Sequence, residues 1–298
     1  MTVDGRLRQS RSGTPGAGGG RVEVDLRRRL WASRPGRTGV ILAAALVLTV
    51  VVGPHLVPHD PEALALGDKL NGPGPDHWLG TDQFGRDQLA RLLEGGRRSL
   101  GAGAVVLVAV MVLSLAVGVT AGMCGGAVDA VLMRVVDVLL AFPPLVLALA
   151  VVGALGPGFD HLLLALTMSS WAYSARLVRV MAASARARPD VVAARLAGIP
   201  WPRVVAGHVI PGVAAQLAVV ATLNLGDVIL GIAALSFLGL GVQPPAAEWG
   251  AMLTDSRLYF STAPWLLAAP AVAIFLSVMA ANLIGDALRD VTDPALGR

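Results

Sequence analysis

Apolar residues in this chain gather into long blocks separated by short polar stretches, and block length carries the first inference. A helix rises 1.5 Å per residue, so about twenty apolar residues cross the ~30 Å hydrocarbon layer of a bilayer. Six such spans are predicted, over residues 38–57, 99–123, 128–155, 161–183, 209–240 and 264–286. The chain therefore reads as an all-α membrane protein with six transmembrane helices. The block 209–240 exceeds one untilted crossing, so it is expected to tilt, or to break near Gly231 and finish as a short external element. Phe142-Pro143-Pro144 is expected to kink the third span by removing backbone donors.

Charge orients these spans. Residues 1–37 are rich in Gly, Ser and Arg, lack apolar periodicity and read as a disordered basic tail. Arg27, Arg28, Arg29, Arg34 and Arg37 precede the first block, which places that end in the cytoplasm by the positive-inside rule. A signal peptide would also put a basic region before an apolar one, but no small-x-small cleavage site follows here. Six crossings return the C-terminus to the cytoplasm. Residues 58–98 and 241–263 then face outside and 184–208 inside; that loop and the adjoining helix end carry Arg176, Arg179, Arg186, Arg188, Arg195 and Arg203, with Asp190 the only acid. The organisation is a cytoplasmic tail (1–37), a first helix (38–57), an external loop (58–98), a core transmembrane domain (99–290) and a cytoplasmic tail (291–298).

Composition narrows the chemistry. The chain is 55% hydrophobic, which argues against a soluble enzyme. Cys124 is the single cysteine, so no internal disulfide or thiolate metal site is expected. The only lysine, Lys69, lies in Asp68-Lys69-Leu70 and not in the Gly-Lys-Ser/Thr of a phosphate-binding loop. No cofactor is expected in this chain, and any ATP and Mg would be bound by a partner.

The segment 189–211 reads as two short helices meeting at Gly198. Asp190 is expected to cap the first, Gly198 to end it in the left-handed conformation, and Pro200 and Pro202 to start the second. Ala193, Ala194 and Gly198 would leave one side flat, a surface suited to docking a protein; a plain surface hairpin is the alternative reading. In the fifth span Gln216, Asn224 and Asp227 fall near one helical face, either wetting a translocation path or bonding between helices. Arg134 and Asp137, with Asp129 nearby, read as an interfacial ion pair. His55, His59 and His77 match no compact ligand spacing, and no metal site is expected.

Val192-Ala193-Ala194, Gly198 and His208-Val209-Ile210-Pro211 together resemble the EAA loop of bacterial ABC-importer permeases, with Val192 in place of the usual glutamate. His77 to Asp87, followed by Arg97-Arg98-Ser99-Leu100, is similar to the external HxLGTDxxGRD signature of the dipeptide, oligopeptide and nickel group. Ala234 to Pro245, with Trp249-Gly250, is similar to its ALSFLGLGVQPP segment, with Ile232 where a glutamate is common. The resemblance implies an importer-permease fold whose elbow is a coupling helix seated on a cytoplasmic ATPase. It implies peptide import, with nickel or another small solute as the alternative. It also implies a second homologous permease, two P-loop ATPase subunits and an extracytoplasmic binding protein as partners.

On this reading Ala193, Ala194, Gly198 and Pro211 set the elbow geometry, and Arg195 and Arg203 face acids on the ATPase. Gly80, Asp82, Gly85, Arg86 and Asp87 form the external motif, which would pack on the membrane domain or receive the delivery protein. Two other classes compete. An ion-coupled transporter would use Asp137 and Asp227 as proton carriers, and an intramembrane serine protease would use Ser236, which lacks the Gly-x-Ser-x-Gly turn.

Overall fold

The structure, a computed structural model, describes Trp31 and residues 33–292. The expected tails therefore lie largely outside the described residues. The helices are α1 (Arg34–Leu56), α2 (Gln88–Cys124), α3 (Gly126–Leu140), α4 (Pro144–Leu155), α5 (Phe159–Ala185), α6 (Pro189–Leu196), α7 (Trp201–Val204), α8 (Ile210–Phe237), α9 (Trp249–Ser256) and α10 (Trp265–Thr292). Among the described residues, four helical segments are long and apolar enough to cross a membrane, or five if α3 and α4 count as one broken span. α5, the fourth expected span, is 27 residues long but falls outside that set. Ser169, Ser170, Ser174, Arg176 and Arg179 dilute its apolar run.

Several boundaries differ from expectation. α1 starts at Arg34, inside the expected tail, because the Ser33 hydroxyl accepts from Gly36 N at 3.2 Å and Pro35 suits the first turn. α2 starts eleven residues before its expected span, at Gln88, because Asp87 caps it, accepting from Ala90 N at 2.7 Å. The proline kink is a full turn of the chain: α3 and α4 meet at 90° across Ala141–Pro143. Gly231 breaks nothing. α8 runs through it, and the irregularity sits earlier, as a wide π turn over Val205–Val209.

α2 and α5 form the central pair, and small residues let them touch. A Cβ on Gly118 would stand 2.6 Å from the Ala175 carbonyl oxygen, and one on Gly122 2.6 Å from that of Arg179. Both lie far inside contact distance, so only glycine permits this approach, the packing mode of helices in lipid. The Ser114 hydroxyl donates across the same seam to Trp171 O at 3.0 Å.

Three apolar clusters divide the bundle. One joins α2 to α5, α8 and the bent pair around Val106, Val152, Leu162 and Leu235. A second, around Val50, Trp249 and Ile274, binds α1, α9 and α10 to the start of α2. The third packs Val191, Ala194, Val204 and Val209 of the elbow onto Val178, Ala182 and Leu217.

Candidate functional site

A cleft of about 340 Å³ opens between α2, α4, α5 and α8. Its lining is mainly apolar, from residues such as Met111, Leu145 and Leu217, with Ser169, Ser170, Tyr173, Ser174, Asn224 and Asp227 as the polar groups. Polar side chains facing lipid are expensive, and here they gather at one cleft between the helices. Asn224 and Asp227 thus share a face as expected. Gln216 does not join them. It lies on a separate depression with Ser184, Arg188 and Gly212, toward the elbow. Tyr173 and the α5 serines were missed by sequence reasoning; their i, i+3, i+4 spacing along α5 was the available signal.

The elbow has the expected shape. Gly198 takes φ +79°, the left-handed conformation, and the chain turns there with Ile199 N bonded back to Ala194 O at 3.2 Å. Asp190 is not the cap. Arg188 occupies that position, and Asp190 instead clamps the Arg188 guanidinium, Nε to Oδ1 at 3.0 Å and Nη2 to Oδ2 at 2.6 Å. That hydrogen bond lowers the Asp190 carboxyl from its ordinary value.

The two alanines part company. Ala194 turns inward while Ala193 and Gly198 are exposed, because the 100° step between adjacent residues on a helix cannot keep both on one face. The outer surface is formed by Val192, Ala193, Leu196 and Ile199, with Leu196 85% exposed. The Arg195 guanidinium lies 4.9 Å above the Trp201 ring, which tethers it beside this surface. Arg203 and Pro211 are exposed.

Behind the elbow, α3 is tied to α5 by ion pairs. Asp129 accepts from Arg179 Nε at 2.6 Å, and Asp137 pairs with Arg176. The expected pair Arg134–Asp137 gives way to these bonds between helices, which hold the bent segment against the bundle.

At the N-terminal end of α2 the His77–Asp87 motif folds into a buried polar cluster. Asp82 Oδ1 accepts from the amides of Phe84 (2.8 Å) and Arg86 (3.0 Å), and Oδ2 from Arg86 Nε at 2.6 Å; Arg91 lies 3.4 Å away. Asp82, Arg86, Asp87 and Arg91 are each at most 4% exposed. Gly80 and Gly85 have φ near +75°, and a Cβ on Gly85 would overlap the Ala65 carbonyl oxygen at 1.8 Å.

The Ala234–Pro245 motif lands on the first. Pro245 O accepts from Arg91 Nη1 at 3.1 Å and Arg86 Nη1 at 3.4 Å. Glu248, fully buried, accepts from Ser99 Oγ at 2.8 Å and from Gly250 N and Ala251 N at 3.0 Å each, capping α9. Sequence reasoning passed over Glu248, although an acid two residues ahead of Gly250, just before a helix, is a capping signal.

The histidines divide. His55 meets Arg97 Nη2 at 2.9 Å, whereas His59 and His77 converge on Asp87. Ser236 Oγ is buried and makes no hydrogen bond.

The family profile described as binding-protein-dependent transport system inner membrane component matches residues 114–298. The chain is 44% identical to the nickel transport system permease protein NikC of Escherichia coli, over 87% of this chain and 94% of that one. It is 38% identical to the dipeptide transport system permease protein DppC of Alkalihalophilus pseudofirmus, over 87% and 85%. It is 39% identical to the glutathione transport system permease protein GsiD of Pectobacterium atrosepticum, over 87% and 88%.

Proposed function

Because the chain belongs to the family of binding-protein-dependent transport system inner membrane components, an ABC-importer permease of the inner membrane, we propose that it carries small peptides inward, driven by separate ATPase subunits. The observation that carries this reading is the pairing of one wetted cleft with one protruding elbow on the same helices. α8 lines the cleft through Asn224 and Asp227 and continues, through the π turn, into the elbow. A displacement of the elbow therefore moves the cleft wall, the requirement for switching access by ATP-driven closure.

On this reading α1, α2, the α3–α4 pair, α5, α8 and α10 are the six spans, with both termini cytoplasmic. The exposed Leu196 and Val192 sit in a groove of one ATPase, and Arg195 and Arg203 meet its acids. A second homologous permease closes the cleft from the other side, a second ATPase serves it, and a binding protein delivers cargo to the outer loop. Asp227 offers a carboxylate to a peptide's ammonium group. ATP and Mg belong to the ATPases.

Nickel is the second reading, favoured by the 44% identity to a nickel permease. One experiment separates them: uptake of labelled dipeptides and of nickel in cells with and without this gene. Peptide uptake that disappears with the gene while nickel uptake persists supports the first reading, and the reverse supports the second. The coupling half is tested by Gly198→Val in the reconstituted complex. Transport-linked ATP hydrolysis at the parental rate would refute the elbow's role.

A further inference from the structure

We propose that His59, His77 and Asp87 form a binding site for one borderline divalent transition-metal ion, such as Ni²⁺, Zn²⁺ or Cu²⁺, at the end of the bundle opposite the elbow. The three residues come from separate places in the chain. His59 follows α1, His77 sits before the short antiparallel bridge between Thr81 and Asp87, and Asp87 heads α2. One ligand atom from each lies within 4.8 Å of the other two.

Asp87 organises the set. Its Oδ1 is committed to the Ala90 amide at 2.7 Å, so Oδ2 is aimed away from the helix. His77 Nδ1 stands 2.8 Å from Oδ2 and His59 Nδ1 3.8 Å from the same atom. The first distance is a hydrogen bond. The second is too long for one. A second imidazole has thus been brought to an oxygen with which it makes no hydrogen bond, its ring 4.8 Å from that of His77. Metal–ligand bonds of about 2.0–2.2 Å set ligand atoms roughly 3–3.5 Å apart, between the two observed spacings. Seating an ion asks for His77 to draw back slightly from Oδ2 and for His59, the most exposed of the three, to close in.

Burial is graded in the useful sense. The side chains of Asp87, His77 and His59 are 3%, 19% and 38% exposed, so the carboxylate is fixed in protein and the outer imidazole faces solvent. The backbone beneath is held by Gln88 N to Gly80 O at 3.0 Å and Gly80 N to His77 O at 2.9 Å. Two imidazole nitrogens and one carboxylate oxygen, with no thiolate, select borderline ions over Mg²⁺ and Ca²⁺. Three protein ligands leave positions for water or for a ligand carried with the ion. The site stands independently of the cargo, since an ion here would tie the loop after α1 to the head of α2 in a peptide importer as well.

The test uses the full chain in lipid nanodiscs without a polyhistidine tag. Isothermal titration with Ni²⁺ and Zn²⁺ should show one ion per chain, and His59→Ala should weaken it roughly tenfold or more. His55→Ala should leave it unchanged. With Cu²⁺, the electron paramagnetic resonance spectrum should show two coupled nitrogens in the parent and one in His59→Ala. His59 is exposed, so this variant folds even if His77→Ala does not. Absence of saturable binding, or binding and spectra unaffected by His59→Ala, would overturn the site.

Discussion

Ser99 and Glu248, 149 positions apart, share a 2.8 Å hydrogen bond in a pocket sealed from solvent, and the same hydroxyl accepts from Trp249 N at 3.1 Å. The carboxylate also caps α9, so one side chain joins two elements. Glu248→Ala would leave the Ser99 hydroxyl and the amides of Gly250 and Ala251 without their acceptor. A loss of about 2–3 kcal/mol is expected, read as a lowered thermal midpoint of the purified chain. Glu248→Gln, which keeps one acceptor oxygen, should lose less.

The seam between α2 and α5 predicts a sharp contrast among glycines. Gly118→Leu and Gly122→Leu push a side chain into the Ala175 and Arg179 carbonyls and should abolish recovery of folded protein from membranes. Gly101 and Gly153 have nothing within 4 Å of where a Cβ would stand, so Ala there should be tolerated. Equal yields for all four variants would show that the close approach is dispensable.

Leu196 is 85% exposed, so Leu196→Asp should change stability by no more than ~0.5 kcal/mol. It should nonetheless abolish co-purification with the ATPase subunits, because a carboxylate cannot enter an apolar groove unpaired. Retained association would argue that the elbow surface is merely solvated.

At the outer end, burial raises the Asp255 carboxyl above its ordinary value, with the Arg91 charge opposing. The folded state then holds this proton more tightly than the unfolded chain does. Its contribution to stability is therefore full in acid below the ordinary carboxylate value and is lost as pH rises through the raised one. Between about pH 4 and pH 7, the thermal midpoint of Asp255→Asn should decline less steeply than that of the parent. Parallel curves would contradict the shift.

Asp227 is the carboxylate among the cleft residues. Asp227→Asn should reduce uptake of positively charged cargo by at least roughly tenfold while sparing assembly and basal ATP hydrolysis. Unchanged uptake would move the path elsewhere.

Local pattern made much of this legible: apolar runs placed the main helices, and Gly198 with its flanking prolines placed the elbow. What stayed hidden depends on contacts between distant positions. Asp87 is a local capping signal for the start of α2 at Gln88, but the polar first turns that follow are not read as buried, because Arg91 and Arg98 are satisfied by Pro245 O and Ala247 O, over 140 residues onward. Asp190 looked like a cap until Arg188 took its carboxylate. His59 and His77 looked scattered because their spacing is set by a loop that returns on itself, not by helix or strand periodicity. The two outer motifs were each readable, but not their junction at Pro245.

The paired arginines on Pro245 O also carry a mechanical meaning. Hydrogen bonds from guanidinium groups are directional and resist shear, whereas the methyl contacts of Val191, Ala194 and Val204 tolerate small slips with little loss. The bundle is thus stiff where its loops gather and compliant where the elbow protrudes. On the proposed function, a push delivered to the compliant end would tilt α5 and α8 about an anchored rim and turn a short stroke into a change in the width of the cleft.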